Sequence, residues 1–217
     1  MQSRVFHDFD AFAQSIRDVD SRMLLRNPQR RTWSVRSADL GSVNVQIGEL
    51  GSGNIAEGQL RSDGYMLYLP LTDGVEYAAN GVALPKGGFA VLEPECEFCI
   101  RTKVAHDWCV AFVPTELLGT GGEFARPPSR ACRVTRANQP VADEFRIMLL
   151  QIFAAAASDA RFESSQAATR AAEKLVRIAS LTVGSRESVT SAHEGRPRIP
   201  RQRIIQRCME FLELHTD

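Results

Sequence analysis

The sequence predicts an α+β fold: an antiparallel β-barrel or sandwich, then an antiparallel α-helical hairpin, then a C-terminal helix. Three observations carry this prediction. Between residues 32 and 113, short β-rich runs are broken about every eight to twelve residues by turn pairs. Between 140 and 183, apolar side chains recur at helical spacing in two long stretches. From Pro200 to Asp217, Ile204, Ile205, Cys208, Phe211 and Leu212 form one more apolar stripe, with Arg203, Gln206, Arg207, Glu210 and Glu213 between them.

Taken in order, residues 6–26 open with a short helix. Asp8 or Asp10 is placed to cap it, and Phe9, Phe12, Ala13 and Ile16 are placed to face inward. Asn27-Pro28 and the basic run that follows mark a loop. Strands are expected at 32–36, 42–50, 53–60, 65–71, 75–79, 88–93, 97–102 and 107–113. Val43, Val45 and Ile47 share one face of the second of these. The run Tyr-Met-Leu-Tyr-Leu-Pro-Leu beginning at Tyr65 is continuously apolar, as in a central strand buried on both sides. Asp63-Gly64, Asp73-Gly74, Asn80-Gly81 and Gly87-Gly88 read as tight turns.

After a helical turn entered through Pro114 and a Gly- and Pro-rich loop at 121–130, the two helices are expected at 140–157 and 164–183. Residues 184–197 are polar and nearly free of large apolar side chains, so they read as a linker. The resulting division is 1–135 for the β unit with its N-terminal helix, 136–183 for the hairpin, 184–198 for the linker and 199–217 for the last helix.

The chain has 217 residues, with 26 basic and 26 acidic side chains. A zero formal balance argues against a polyanion-binding surface spread over the whole chain. No apolar run approaches the roughly 18–20 residues that cross a bilayer, and the N-terminus lacks a secretory pattern. Five scattered cysteines argue against a disulfide framework, which suggests a cytoplasmic protein with reduced thiols.

Catalytic patterns are weak. The four histidines, His7, His106, His193 and His215, are far apart, and no His-x-His occurs, so no metal site and no cofactor are expected. His106, beside a turn, reads as an exposed or capping residue. Cys96 and Cys99 have C-x-x-C spacing but straddle a loop and a strand start, without the helix N-terminus a redox pair needs. The Gly-rich stretch 48–54 lies between two strands rather than opening a helix, and reads as a hairpin turn.

Aromatic residues are concentrated in the strand region, and an aromatic-walled interior suits a small-molecule pocket. Arg61, Tyr65, Trp108 and Phe112 are the candidate ligand-binding residues, against the simpler reading of core packing. Tyr65 and Tyr68 lie three apart on one strand, so only one of them is expected to face inward. The first long helix carries more apolar side chains than one packing face needs. Phe145, Met148, Leu149 and Ile152 are its candidate homodimer contacts.

The order of these parts resembles the N-terminal region of AraC/XylS-family bacterial transcription regulators. The resemblance rests on the layout, on Tyr68 to Phe98, and on the string Arg-Gln-Arg-Ile-Ile-Gln-Arg-Cys-Met-Glu-Phe-Leu-Glu from Arg201 to Glu213. It implies a cupin-like barrel that senses a small organic effector, a dimerising hairpin, and the first helix of a helix-turn-helix DNA-binding domain. The DNA-contacting helices would then lie beyond Asp217, and the partners would be the effector, a second copy and DNA. Arg196, Arg198, Arg201, Arg203 and Arg207 could touch phosphates or line a solvated face. Two other readings stand beside this one: a cupin-type dioxygenase or isomerase, which metal analysis would reveal, and a dimerisation module that binds no ligand.

Overall fold

Strand β11 (His106–Pro114) is the axis of the structure: it lies between β4 (Val43–Leu50) and β6 (Gly64–Pro70) and pairs antiparallel with both. The computed structural model describes residues 1–60, 64–118, 132–136, 139–184 and 209. Outward from this centre run β3 (Trp33–Leu40) and β1 (Gln2–Phe6) on one side, and β9 (Gly88–Leu92) and β12 (Cys132–Arg136) on the other. Together they make a seven-stranded sheet in the order β1-β3-β4-β11-β6-β9-β12. A second sheet has the order β2-β5-β10-β7-β8, from β2 (Val19–Arg26), β5 (Gly53–Leu60), β10 (Glu97–Thr102), β7 (Tyr77–Ala79) and β8 (Val82–Ala83). Neither sheet closes on itself, so the β unit is a two-sheet sandwich.

Period-two alternation divides the buried residues into two cores. Between the sheets lie Trp33, Val35, Met66, Tyr68, Leu92, Trp108, Val110 and Phe112 from the larger sheet. Opposite them are Ala56, Tyr77, Phe98 and Ile100 from the smaller. The other face of the larger sheet carries Val43, Val45, Ile47, Tyr65, Leu67, Leu69, Cys109 and Ala111. That face is covered by α2 (Gln139–Ser158) and α3 (Gln166–Gly184), through Phe145, Leu149, Phe153, Leu175 and Ile178. Burying one such side chain contributes about 1.5–3 kcal/mol. The double apolar face of β6 and β11 thus dictates a sheet covered on both sides.

The N-terminal segment departs from expectation. Its helix, α1 (Phe9–Ala13), is only five residues long. Asp8 caps it by accepting a hydrogen bond from the Ala11 amide at 2.7 Å, and Phe12 is fully buried. Strands flank it on either side, β1 before and β2 after. Both are edge strands with mostly exposed side chains, so neither shows the apolar alternation that marks a strand in sequence.

The stretch 48–54 is also not a hairpin. It is a corner that carries the chain from β4 in one sheet to β5 in the other. The Gly51 carbonyl accepts hydrogen bonds from the amides of Gln29 and Arg30, at 2.9 and 2.7 Å. True hairpins occur where both Asn80 and Gly81 adopt positive φ, between β7 and β8, and at Gly41 between β3 and β4. Of the linker 184–198 and the last helix 199–217, only Gly184 and Met209 fall within the described residues.

Candidate functional site

Four rings form a row between the sheets. Trp108 and Tyr68 are stacked at 25° with centroids 6.2 Å apart. Tyr77 stands 6.5 Å from Tyr68, and His106 meets the Tyr77 ring edge-on at 5.3 Å. The row is made by register: Trp108 and Tyr68 project from neighbouring strands β11 and β6, and Tyr77 reaches in from β7 of the opposite sheet. All four residues are buried.

The hydroxyls of this row differ in a way that matters. Tyr77 donates to the Asp107 carbonyl at 2.9 Å. Among the described residues, no group hydrogen-bonds the Tyr68 hydroxyl, although Tyr68 is only 6% exposed.

Burial also keeps the row neutral. Loss of water raises Tyr68 well above the ordinary phenol range and pushes Tyr77 up to about 12. It pushes His106 down to about 4, so its imidazole is uncharged at neutral pH. The His106 Nδ1 lies 3.0 Å from the Thr102 hydroxyl and 3.0 Å from the Val104 carbonyl. This histidine is therefore a buried residue at the start of β11, not an exposed one. The sandwich interior thus presents aromatic faces whose titratable groups are neutral.

The candidate ligand-binding residues are only partly brought together. Trp108 and Phe112 both face the sandwich interior. Tyr65 faces the opposite way, into the core beneath α2 and α3. Tyr68 takes the inward position instead. In a strand buried on both sides, apolarity does not say which parity faces which core. Arg61 lies outside the described residues. Tyr77 and His106 were missed because each is an isolated residue next to a turn.

The four helix residues proposed for dimer contacts are Phe145, Met148, Leu149 and Ile152. They are buried at 0%, 7%, 0% and 2% within this one chain. Phe145 meets Phe89 of the sheet edge-on at 5.1 Å. The outward side of α2 carries Ile147 and Leu150 instead, 54% and 48% exposed.

Two cavities lie outside the sandwich interior. One, of about 220 Å³, is polar and lined by Gln2, Arg4, Gln14, Ser15, Arg17 and Ser37. The other, of about 330 Å³, is a cleft between α2 and Lys174 of α3. Among the described residues, no three His, Cys, Asp or Glu side chains are grouped so as to hold a metal ion. Cys96 and Cys99 are both buried, and burial pushes the Cys96 thiol up to about 12, well away from the reactive range. No helix among the described residues is long and apolar enough to cross a membrane.

The β unit is thus a two-sheet sandwich with a helix pair on its larger sheet and aromatic residues between the sheets. The chain is similar in structure to the AraC-like transcriptional activator CuxR, with a TM-score of 0.59 and 13% identity. The match covers 98% of this chain and 78% of that one. At this identity the likeness is one of fold, and it agrees with the AraC/XylS resemblance read from the sequence. No family model matches the sequence, and no curated protein matches it.

Proposed function

We propose that this chain is the effector-sensing region of a DNA-binding transcription regulator of the AraC type. It would take a small, uncharged organic molecule between its sheets and pass the signal to a DNA-binding domain. The observation that supports the sensing role is the row of buried rings between the sheets, Trp108, Tyr68, Tyr77 and His106, whose titratable groups are all neutral. The fold likeness to an activator supports the regulatory role.

The test is a thermal-shift screen of uncharged aromatic and carbonyl compounds against the wild-type chain and the Tyr68→Phe variant. A ligand present at a hundred times its Kd stabilises the folded state by about 2.7 kcal/mol. A compound that raises the wild-type melting temperature and loses that effect in Tyr68→Phe identifies the site. A compound that shifts both equally places the effector elsewhere. The regulatory half is tested by selecting DNA from a random pool with the full encoded polypeptide. No retained sequence at low salt would remove it.

Two-fold association belongs to the same proposal. Since Phe145, Leu149 and Ile152 are covered by the sheet, the contact is assigned to the outward side of α2 at Leu150 and Ala154. Sedimentation of Leu150→Glu against wild type tests it.

A second reading is favoured by a different observation. The Trp108 and Phe112 rings occupy the space in which a Cβ on Gly48 or Gly64 would stand, and such close approach favours an interior filled by its own side chains. A filled sandwich suits a dimerisation module that binds no ligand, and a screen without any shift would support that reading.

A further inference from the structure

We propose that the polar cavity between β1, β3 and the segment that follows α1 binds a small organic anion, with its carboxylate or phosphate seated between Arg4 and Arg17. This holds whether or not the sandwich takes an effector. The cavity measures about 220 Å³. That is below the roughly 300–1,000 Å³ of pockets for drug-sized molecules, so it suits an oxyanion group on a short polar body.

Register builds the cavity. In the β1–β3 pair, Gln2 stands opposite Ser37 and Arg4 opposite Val35, and antiparallel partners share a face. Ser37 stands in turn opposite Gln46 of β4. Gln2, Ser37 and Gln46 therefore make a polar row across three strands. The chain leaving α1 covers this row with Gln14, Ser15 and Arg17. The cover is fastened down by Gln46: the Arg17 amide donates to its Oε1 at 3.0 Å, and its Nε2 donates to the Ser15 carbonyl at 3.3 Å.

Three features select an anion. The first is a donor left over in a buried place. Gln46 Nε2 also donates to Ser37 Oγ at 2.9 Å, which uses up the Gln46 amide and makes Ser37 the acceptor. Ser37 is only 6% exposed, and its own hydroxyl proton has no acceptor among the described residues. Buried hydroxyls are normally satisfied, and a ligand oxygen in the cavity would satisfy this one.

The second is charge. The described residues that line the cavity include two arginines and no carboxylate. Arg17 donates to Asp39 at 2.7 Å, while Glu163 holds the Met1 amine and accepts from the Asp39 amide at 2.8 Å. Those two acids balance Arg17 and the amine. Arg4 has no hydrogen bond or ion pair among the described residues, so its charge is the one left over.

The third is donor geometry. Arg17 gives one of its five N–H groups to Asp39, and Arg4 gives none. A guanidinium fork matches the two oxygens of a carboxylate or phosphate. The neutral amides of Gln2 and Gln14 remain for hydroxyl or carbonyl groups on the body of the ligand.

The test is calorimetric titration of the full chain with inorganic phosphate and, separately, with succinate, at neutral pH and at an ionic strength held constant with chloride. Arg4→Gln should weaken binding about tenfold or more, since a charged hydrogen-bond donor is lost. Arg4 is exposed on an edge strand, so the melting temperature without anion should not change. Arg22→Gln, at an exposed site on the edge strand β2 of the other sheet, should bind as the wild type does. Phenylglyoxal modification, followed arginine by arginine by mass spectrometry, locates the site: the anion should slow reaction at Arg4 and leave Arg22 unaffected. Binding of one probe alone supports the proposal and says which oxyanion the cavity takes. Binding unchanged in Arg4→Gln, or weakened equally in Arg22→Gln, overturns it. So does a chain in which neither probe protects Arg4.

Discussion

Trp108 lies across β11 from Gly48 on β4, and its indole occupies the space in which any side chain on residue 48 would stand. A Cβ on Gly48 would overlap the six-membered ring of the indole. The glycine is thus required by close approach rather than by a turn, since its φ is not in the left-handed region. Gly48→Ala is expected to cost about 1–3 kcal/mol, read as a lower urea midpoint with unchanged slope. Pairing it with Trp108→Leu should recover part of the loss, because the two sites share one space. An unchanged midpoint in Gly48→Ala would mean that the indole can swing aside at no cost.

Tyr68→Phe should be mild by comparison. No described residue hydrogen-bonds the hydroxyl, so the change breaks no bond among them and keeps the ring that stacks on Trp108. Stability should change by less than about 1 kcal/mol while any effector response is lost. Stability kept together with response lost separates a site residue from a core residue. A Tyr68→Phe chain destabilised by more than about 1 kcal/mol would show that the hydroxyl has a structural partner after all.

These two residues show what could be read from the sequence and what could not. The run from Tyr65 is apolar at every position, which was enough to place a central strand but not to say which tyrosine faced which core. The helices α2 and α3 were legible almost to the residue, because a 3.6-residue stripe has no such two-fold ambiguity. β1, β2, β8 and β12 were not legible. Each lies at or next to the edge of a sheet and has a short or mostly polar pattern, so pairing rather than side-chain burial holds it. The burial of the residues expected to make dimer contacts has a related cause. Phe145, Leu149 and Ile152 mark the richest stripe of α2, and the richest stripe faces the sheet. A closed barrel was one of two options in the sequence. Two separate sheets could not be distinguished from it without strand order.

Arg133 ties the β unit to the end of α3. Its Nε donates to the Glu93 carboxylate at 2.8 Å, and its terminal nitrogen donates to the Val183 carbonyl at 3.1 Å. Glu93 is buried, so the ion pair is shielded from solvent. Arg133→Met removes both bonds and should cost about 1–3 kcal/mol. It should also speed amide hydrogen exchange in the last turn of α3, where the Val183 carbonyl loses its donor. Arg133→Lys cannot span both acceptors as a planar fork does, and should restore the stability better than the exchange protection. Unchanged exchange around Val183 in Arg133→Met would show that the contact does not hold the helix end.

His106 makes the fold sensitive to mild acid. It is 3% exposed, its ring nitrogens contact Thr102, Val104 and the Ser52 backbone, and its ring stands edge-on to Tyr77. Burial strips water from the imidazolium, which lowers the pKa from 6.5 in the unfolded chain to about 4 in the folded one. Between those values the unfolded chain holds a proton that the folded chain does not. The stabilising effect of a neutral His106 is therefore complete above about pH 6.5, declines as pH falls through the window, and is gone below about pH 4. The full amplitude is on the order of 3 kcal/mol. Carboxylates contribute their own acid sensitivity, since Glu76 and Glu163 are held below the usual range by Lys103 and the N-terminal amine. Comparison with His106→Gln cancels their share. The wild-type advantage over the variant in urea midpoint should be larger at pH 7 than at pH 4.5. A difference that stays constant across that range would show that the folded chain tolerates a charged imidazole beside Tyr77.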